Sequence, residues 1–286
     1  MNKLSINLNN LKFDIRWIDM NTTIPLLIFL HGFKSFRNWG FIPYLCERIS
    51  EKGFITLNLD FSYNGILSEN PIKFNVEIFA NNTITQEVQD VNILLTILFD
   101  KSKWDGNLHQ ALKNWNGKVH IGGHSRGAGI AIIAAEKFNV IQKIVLLSAI
   151  SDFNRYTPRL IDKWIKDGFL EFNDPESNQK LRMNSDYILD LLENRDKYNL
   201  KGIMQRLDKP TLFIVGDNDL TTPIKESLEL KENYEKYKNY KQNHCNFAII
   251  KKANHLFNCN HPFKGTNVYL DEALQRIEDF LFYGQI

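Results

Sequence analysis

Residues 119–138 read VHIGGHSRGAGIAIIAAEKF, a short apolar strand pattern that passes directly into a helix pattern rich in alanine and glycine. Gly123-His124-Ser125-Arg126-Gly127 lies at the junction and fits the pattern G-x-S-x-G. A turn this tight exposes the central side chain, and the flanking glycines allow a close backbone approach that a Cβ atom would prevent. The start of the helix also directs backbone N–H groups towards negative charge that develops beside the serine. The stretch therefore predicts a strand–turn–helix unit with Ser125 as a nucleophile.

Strand patterns on either side of this unit predict further strands. IPLLIFL at 24–30 is a continuous apolar run, which is typical of a strand covered on both faces, and the other strands are predicted at 54–61, 143–150, 211–216 and 247–252. Helical spacing of apolar residues predicts helices at 36–52, at 84–99 with Thr83 as N-cap, and at 271–282. Alternation from Ile6 to Ile18 predicts an edge β-hairpin that turns near Asn9 and Asn10. A hairpin followed by β–α repeats predicts an α/β fold, with a mostly parallel sheet and helices on both faces.

Residues 151–208 interrupt the β–α repeat. They carry two or three helical patterns and are too long for one crossover or for an unstructured loop. We interpret them as a helical cap insertion, so that residues 1–150 and 209–286 form the core. Beyond the next strand, Pro223 suits the first turn of a helix capped by Thr222.

An acyl transfer also needs a base for the serine proton and an acid that orients this base. Of the seven histidines, His255 follows the last predicted strand, and His261 is its close rival. The acid is expected in the loop after strand 211–216, where Asp217 and Asp219 are both candidates. Asp217 could instead stabilise the turn through its side chain.

The chain resembles the α/β-hydrolase superfamily, and within it the serine esterases similar to dienelactone hydrolases and to the catalytic domains of prolyl oligopeptidases. The resemblance extends from FLHGF at 29–33 through GHSRG to ANHLFNCNHPF at 253–263. It implies an eight-stranded sheet and the chain order nucleophile, acid, histidine. The family spacing G-x-x-D-x-x-x-P then selects Asp219, and the position after the last strand selects His255. The oxyanion hole is implied to consist of the backbone N–H groups of Phe33, in the H-G-x pattern, and of Arg126.

Two departures from these relatives limit the resemblance. Dienelactone hydrolases carry a cysteine nucleophile where this chain has Ser125, and prolyl oligopeptidases carry a propeller domain for which 286 residues leave no room. The resulting expectation is a carboxylic ester hydrolase that acts on a small-molecule ester through an acyl-enzyme. The alternatives are a peptidase or amidase of the prolyl-oligopeptidase type and a non-catalytic binding protein on the same fold. The sequence does not indicate an oligomeric state.

Composition argues against several other classes of protein. The formal net charge is only +2, from 35 basic and 33 acidic residues, so no long-range field favours nucleic acid. No apolar run approaches the ~18 residues needed to cross a bilayer, and the N-terminus lacks the apolar core of a signal peptide. The three cysteines are too few for a disulfide framework, which favours reduced thiols and a cytoplasmic location.

Weaker signals receive structural interpretations. His244, Cys245, Cys259 and His261 have the residue types of a zinc site but lack close C-x-x-C pairs, so we expect neither a metal nor another cofactor. Five aromatic residues could line a substrate pocket, although core packing is the more common role; they are Trp39, Phe153, Trp164, Phe169 and Phe172. The Lys- and Tyr-containing run 231–242 is expected to be a solvated helix surface.

Overall fold

The central element is an eight-stranded sheet. The computed structural model describes residues 1–8, 11–236 and 244–283. Twelve strands occur in these ranges: β1 (Asn2–Leu8), β2 (Leu11–Trp17), β3 (Ile24–Leu30), β4 (Ile55–Asp60), β5 (Ile66–Glu69), β6 (Ile72–Phe74), β7 (Trp115–His124), β8 (Ile141–Leu147), β9 (Phe169–Asp174), β10 (Gln179–Asn184), β11 (Thr211–Gly216) and β12 (Cys245–Ile250). The large sheet has the order β1-β2-β4-β3-β7-β8-β11-β12. β1, β2 and β4 pair antiparallel and every later pair is parallel, so the predicted α/β architecture is confirmed.

Helices cover the sheet and bury its strands. The described helices are α1 (Ile42–Glu51), α2 (Val76–Ala80), α3 (Ile84–Phe99), α4 (Gly106–Leu112), α5 (Arg126–Lys137), α6 (Pro158–Asp167), α7 (Ser185–Glu193), α8 (Leu200–Met204), α9 (Ile224–Glu235) and α10 (Val268–Tyr283). Every residue of β4 and of β11 is buried. β11 is apolar on both faces after Thr211, as a strand covered on both sides should be. β4 instead alternates, and its buried Thr56, Asn58 and Asp60 all have hydrogen-bond partners. The parallel strands end on one edge of the sheet, and the loops that leave this edge carry the candidate site residues.

The predicted ends of three helices agree only partly with the structure. Thr83 caps α3 as predicted, because its Oγ1 accepts the Gln86 N–H at 3.1 Å. The predicted cap at Thr222 is wrong: α9 begins at Ile224, and Pro223 takes the N-cap position. The helix predicted at 36–52 begins only at Ile42, because Pro43 has no N–H and therefore fits only the first turn.

The segment 151–208 is not purely helical, which corrects the prediction. It contains α6, α7 and α8, but β9 and β10 form an antiparallel hairpin between α6 and α7. Gly168, in the left-handed conformation, ends α6 immediately before this hairpin. α8 packs against α5 and α9, so the end of the segment lies on core helices. The boundaries of a separate cap remain a prediction.

Three further expectations can be compared with the structure. The edge hairpin is confirmed by the pairing of β1 with β2, whereas its turn at Asn9 and Asn10 lies outside the described residues. α9 covers the first part of the run 231–242, and residues 237–242 are also outside the described ranges. No helix of the described chain is long and apolar enough to cross a membrane.

Candidate active site

Ser125 lies in a strained turn between β7 and α5. Its φ of 56° and ψ of −119° fall in a region that non-glycine residues rarely adopt. The flanking glycines are required sterically: a Cβ atom on Gly123 would lie 2.3 Å from the carbonyl oxygen of Gly127, and one on Gly127 would lie 2.3 Å from that of His31. The Ser125 N–H donates to the Leu147 carbonyl at 2.9 Å, which ties the turn to β8. The predicted strand–turn–helix geometry is therefore present.

Asp219 and His255 are brought together from two neighbouring loops. His255 Nδ1 lies 2.8 Å from Asp219 Oδ2, while Asp219 Oδ1 accepts the backbone N–H groups of Thr221 and Thr222 at 2.9 and 2.8 Å. Gly216 allows the loops to approach, because a Cβ atom there would lie 2.1 Å from the Ala253 carbonyl oxygen. A carboxylate at Nδ1 favours a proton on that nitrogen and leaves Nε2 as the basic one.

Opposing effects set the pKa of Asp219. Burial acts to raise this pKa, but the hydrogen bond and charge of His255, with the hydrogen bonds from Thr222, lower it from 3.8 to about 2. Asp219 is therefore ionised at neutral pH and can stabilise a protonated His255.

The two rival residues occupy other places. The exposed Asp217 accepts the backbone N–H of Lys252. It therefore stabilises a turn through its side chain, which was the alternative role considered for it in the sequence. Both ring nitrogens of His261 contact backbone groups: Nδ1 accepts the Gly40 N–H at 3.1 Å, and Nε2 lies 2.7 Å from the Glu69 carbonyl oxygen. Neither residue lines the pocket that contains Ser125 and His255.

Two neighbours of the Asp219–His255 pair were missed by sequence reasoning. The buried Thr222 hydroxyl lies 2.8 Å from Asp219 Oδ2, 3.0 Å from the Ser148 carbonyl oxygen and 3.1 Å from His255 Nδ1. Its position before a proline suggested a helix cap, and no sequence signal indicated this contact. His124 Nε2 lies 2.8 Å from the His255 carbonyl oxygen, and burial lowers the pKa of His124 to about 3. Neutral His124 therefore holds the His255 backbone.

The His31-Gly32-Phe33 loop is oriented by its histidine. His31 Nδ1 donates to the Gly32 carbonyl oxygen at 2.8 Å, and Nε2 accepts the Phe61 N–H at 3.2 Å. Burial lowers the pKa of His31 to about 4, so the ring is neutral and can play both roles. The C=O and N–H groups of a trans peptide point in opposite directions. The Phe33 N–H is therefore turned away from the His31 ring.

The predicted oxyanion donors have unused N–H groups. In the described part of the chain, no acceptor is bound to the backbone N–H of Phe33 or of Arg126. Gly32 approaches the turn closely, since a Cβ atom on it would lie 3.3 Å from Ser125 Cβ. The loop that carries Phe33 thus lies beside the start of α5, as an oxyanion hole requires.

A pocket of about 460 Å³ lies at the candidate site. Ser125 and His255 line it together, with Phe33, Leu220 and Leu256 among its apolar walls. Of the five aromatic candidates, Trp39 lines this pocket, whereas Phe153 and Trp164 belong to the buried core. Phe172 packs against the Phe33 ring, with 6.1 Å between centroids, and Phe169 contacts Arg182.

No metal centre is formed by the part of the chain that the structure describes. No group of three or more His, Cys, Asp or Glu side chains in those ranges is placed to hold a metal ion, and the zinc residue types therefore do not assemble. The three cysteines are free thiols.

Comparison with known proteins identifies the fold. No protein-family model and no curated protein matches the chain. Solved structures do match: Est1E from Butyrivibrio proteoclasticus, at 17% identity, covers 99% of both chains with a TM-score of 0.64. Alpha/beta hydrolase domain-containing protein 10 from mouse, at 16% identity, covers 98% of both chains with a TM-score of 0.66. The alpha/beta hydrolase GrgF from Penicillium sp. sh18, at 14% identity, covers 99% of this chain and 98% of its own with a TM-score of 0.68. With its sheet order and its turn at Ser125, the chain has the α/β-hydrolase fold.

Proposed function

We propose that this chain is a serine hydrolase that cleaves a carboxylic ester of a small molecule through an acyl-enzyme intermediate. The observation that carries the proposal is the 2.8 Å contact between His255 Nδ1 and Asp219 Oδ2, in a pocket whose wall also contains the strained Ser125. A purely structural turn requires neither an oriented imidazole nor a buried carboxylate beside a strained serine.

The proposed reaction uses each of these groups once per half-reaction. Ser125 Oγ attacks the ester carbonyl carbon while His255 Nε2 accepts the hydroxyl proton, and Asp219 stabilises the imidazolium that forms. The Phe33 and Arg126 N–H groups donate to the oxyanion. As the carbonyl re-forms, the alkoxide leaves with the proton from His255. Water then attacks the acyl-enzyme by the same route and releases the carboxylic acid and Ser125.

Two structural neighbours support an ester as the substrate. Est1E has been solved with ferulic acid bound, at 18% identity, and another neighbour, with 13% identity, is an esterase domain of a Rhodothermus marinus protein. An aromatic carboxylic acid is the type of product that an ester hydrolase releases. A pocket of about 460 Å³ is within the size range of small-molecule sites. We also propose a cytoplasmic location, because the three cysteines are free thiols.

The test is hydrolysis of p-nitrophenyl esters from acetate to octanoate by the wild type and by Ser125→Ala. We expect the variant to lose about 10⁴-fold or more in kcat while its circular dichroism spectrum is unchanged. The chain-length profile would measure the acyl pocket. Equal activity of both proteins would refute Ser125 as nucleophile.

Labelling by a fluorophosphonate probe separates the remaining possibilities. A wild type that is labelled at Ser125 but cleaves only amides would favour the peptidase or amidase alternative. A wild type that stays unlabelled and inactive would favour a binding protein.

A further inference from the structure

A buried ion pair lies directly behind the candidate oxyanion hole. The Arg126 side chain is 8% exposed and that of Glu87 is 4% exposed. Arg126 Nε donates to Glu87 Oε2 at 3.2 Å, and an Arg126 Nη atom donates to Oε1, which gives the two-pronged geometry of the strongest charge-assisted pairs. Glu87 is itself fixed, because its Oε1 also accepts from Asn82 Nδ2 at 2.7 Å.

The guanidinium group also contacts the other residue of the hole. It lies 4.8 Å from the centroid of the Phe33 ring and 5.3 Å from that of Tyr187, on α7. Arg126 and Phe33 are the two predicted oxyanion donors, and no group of the described chain accepts from their backbone N–H groups. The side chains of these two donors also contact each other, and Glu87 of α3 holds the guanidinium group in that contact.

We propose that the Glu87–Arg126 ion pair is a positioning device that fixes the two N–H donors of the oxyanion hole relative to each other. This inference rests on the proposed function, since it assigns a role to groups behind the same site. The start of α5 and the Phe33 loop belong to different parts of the chain, and within the described residues no backbone hydrogen bond joins residues 31–35 to residues 125–129. A planar guanidinium that is held along its Nε–Nη edge by Glu87 and packed against the Phe33 ring restricts the movement of either loop.

A merely structural ion pair would act differently on kinetics. Loss of a purely structural pair lowers the free energy of unfolding but leaves the folded enzyme's turnover unchanged. A positioning pair acts on the transition state, because only there does the oxygen carry the charge that the two N–H groups bind. Its loss should lower kcat and leave KM close to the wild-type value.

The experiment compares Glu87→Gln with Glu278→Gln. Glu278 is a matched control, because it is equally buried and pairs with Arg48 at 2.5 Å between α10 and α1, and it does not line the pocket. Both variants should be less stable to urea. We expect Glu87→Gln to lower kcat about ten- to hundredfold with KM within about threefold, and Glu278→Gln to leave both near wild type.

Two further variants extend the test. One keeps the proposal testable if Glu87→Gln fails to fold, and the other gives an intermediate effect on kcat. Replacing both charges in Glu87→Leu with Arg126→Met avoids an unpaired buried charge, which is the main cause of misfolding when one partner is removed. This double variant should fold and still show the loss in kcat. Arg126→Lys keeps the charge but not the planar fork, so its kcat should lie between those of the wild type and the double variant.

The rate of phosphonylation by a fluorophosphonate provides a readout that does not depend on ester specificity. Its phosphoryl oxygen takes the place of the oxyanion, so we expect the labelling rate to fall in parallel with kcat. If the wild type is labelled and folded Glu87→Gln is labelled at the same rate, the positioning role is overturned and the proposed function stays intact. An equal loss in Glu278→Gln would also overturn it. A wild type that is neither labelled nor active would refute the proposed function, and the positioning role with it.

Discussion

Replacement of Asp219 by asparagine tests the acid of the candidate triad. The carboxylate has four neighbours that can donate to it: the Thr221 and Thr222 N–H groups at Oδ1, and His255 Nδ1 with the Thr222 hydroxyl at Oδ2. Asparagine keeps only one acceptor oxygen, so its NH₂ group must face either the two backbone N–H groups or His255. Facing His255, it would stabilise the tautomer with the proton on Nε2, which cannot accept the Ser125 proton.

The structure gives a magnitude for both activity and stability. The wrong tautomer is expected to lower kcat about 10⁴-fold. A pKa of about 2 in the folded state, against 3.8 unfolded, corresponds to about 2 kcal/mol of stability at pH 7. Because the folded pKa is the lower one, this contribution is complete above pH 3.8 and is lost as the pH falls through about 2. Near pH 3 it should be roughly half its value at pH 7.

The assays are ester hydrolysis at pH 7 and urea unfolding at pH 7 and pH 3. The stability difference between the wild type and Asp219→Asn should shrink at the lower pH. Asp217→Asn is the matched control, because Asp217 is exposed and bound to the Lys252 N–H, and it should keep activity within about threefold. Loss of activity in Asp217→Asn with retention in Asp219→Asn would show that the wrong aspartate has been assigned as the acid.

Three further predictions follow from individual contacts. Thr222→Val removes the hydroxyl that donates to Asp219, and it should lower kcat about tenfold in steady-state assays, whereas Thr222→Ser should keep kcat near the wild-type value. A kcat of Thr222→Val equal to that of the wild type would exclude a role for the hydroxyl. Gly127→Ala places a Cβ atom 2.3 Å from the His31 carbonyl oxygen and should cost more than about 2 kcal/mol in urea unfolding, whereas Gly106→Ala, with no atom within 4 Å, should not. Burial raises the pKa of Cys46 to about 11, so iodoacetamide at pH 8 should modify it after unfolding and not in the native protein, as read by mass spectrometry.

Much of the fold follows from local sequence signals. The apolar run at 24–30 predicted the buried strand β3, because a strand covered on both faces is mostly apolar. The turn at Ser125 was predictable because its glycines, strand and helix are consecutive in the chain. Thr83 capped α3 as expected for the same reason, since a cap depends on residues within three positions.

Other features depend on segments that meet only after folding. The β9–β10 hairpin was missed because its strands alternate in exposure over only six residues each, beside stronger helical patterns. Residue types alone left Asp217 and Asp219 open, and the choice depends on which carboxylate reaches His255 across two loops. Thr222 resembled a helix cap, and only the packed loops show its hydroxyl against Asp219.

The sequence by itself determined the α/β class and the position of Ser125, because strand, turn and helix propensities are set by neighbouring residues. Only the tertiary structure decided how the site is assembled and supported. Glu87 and Arg126 are 39 residues apart, and no sequence pattern indicates that their side chains form a pair. Their pairing is visible only when α3, α5 and the Phe33 loop pack together, because burial removes water and leaves each charge with the other as its partner.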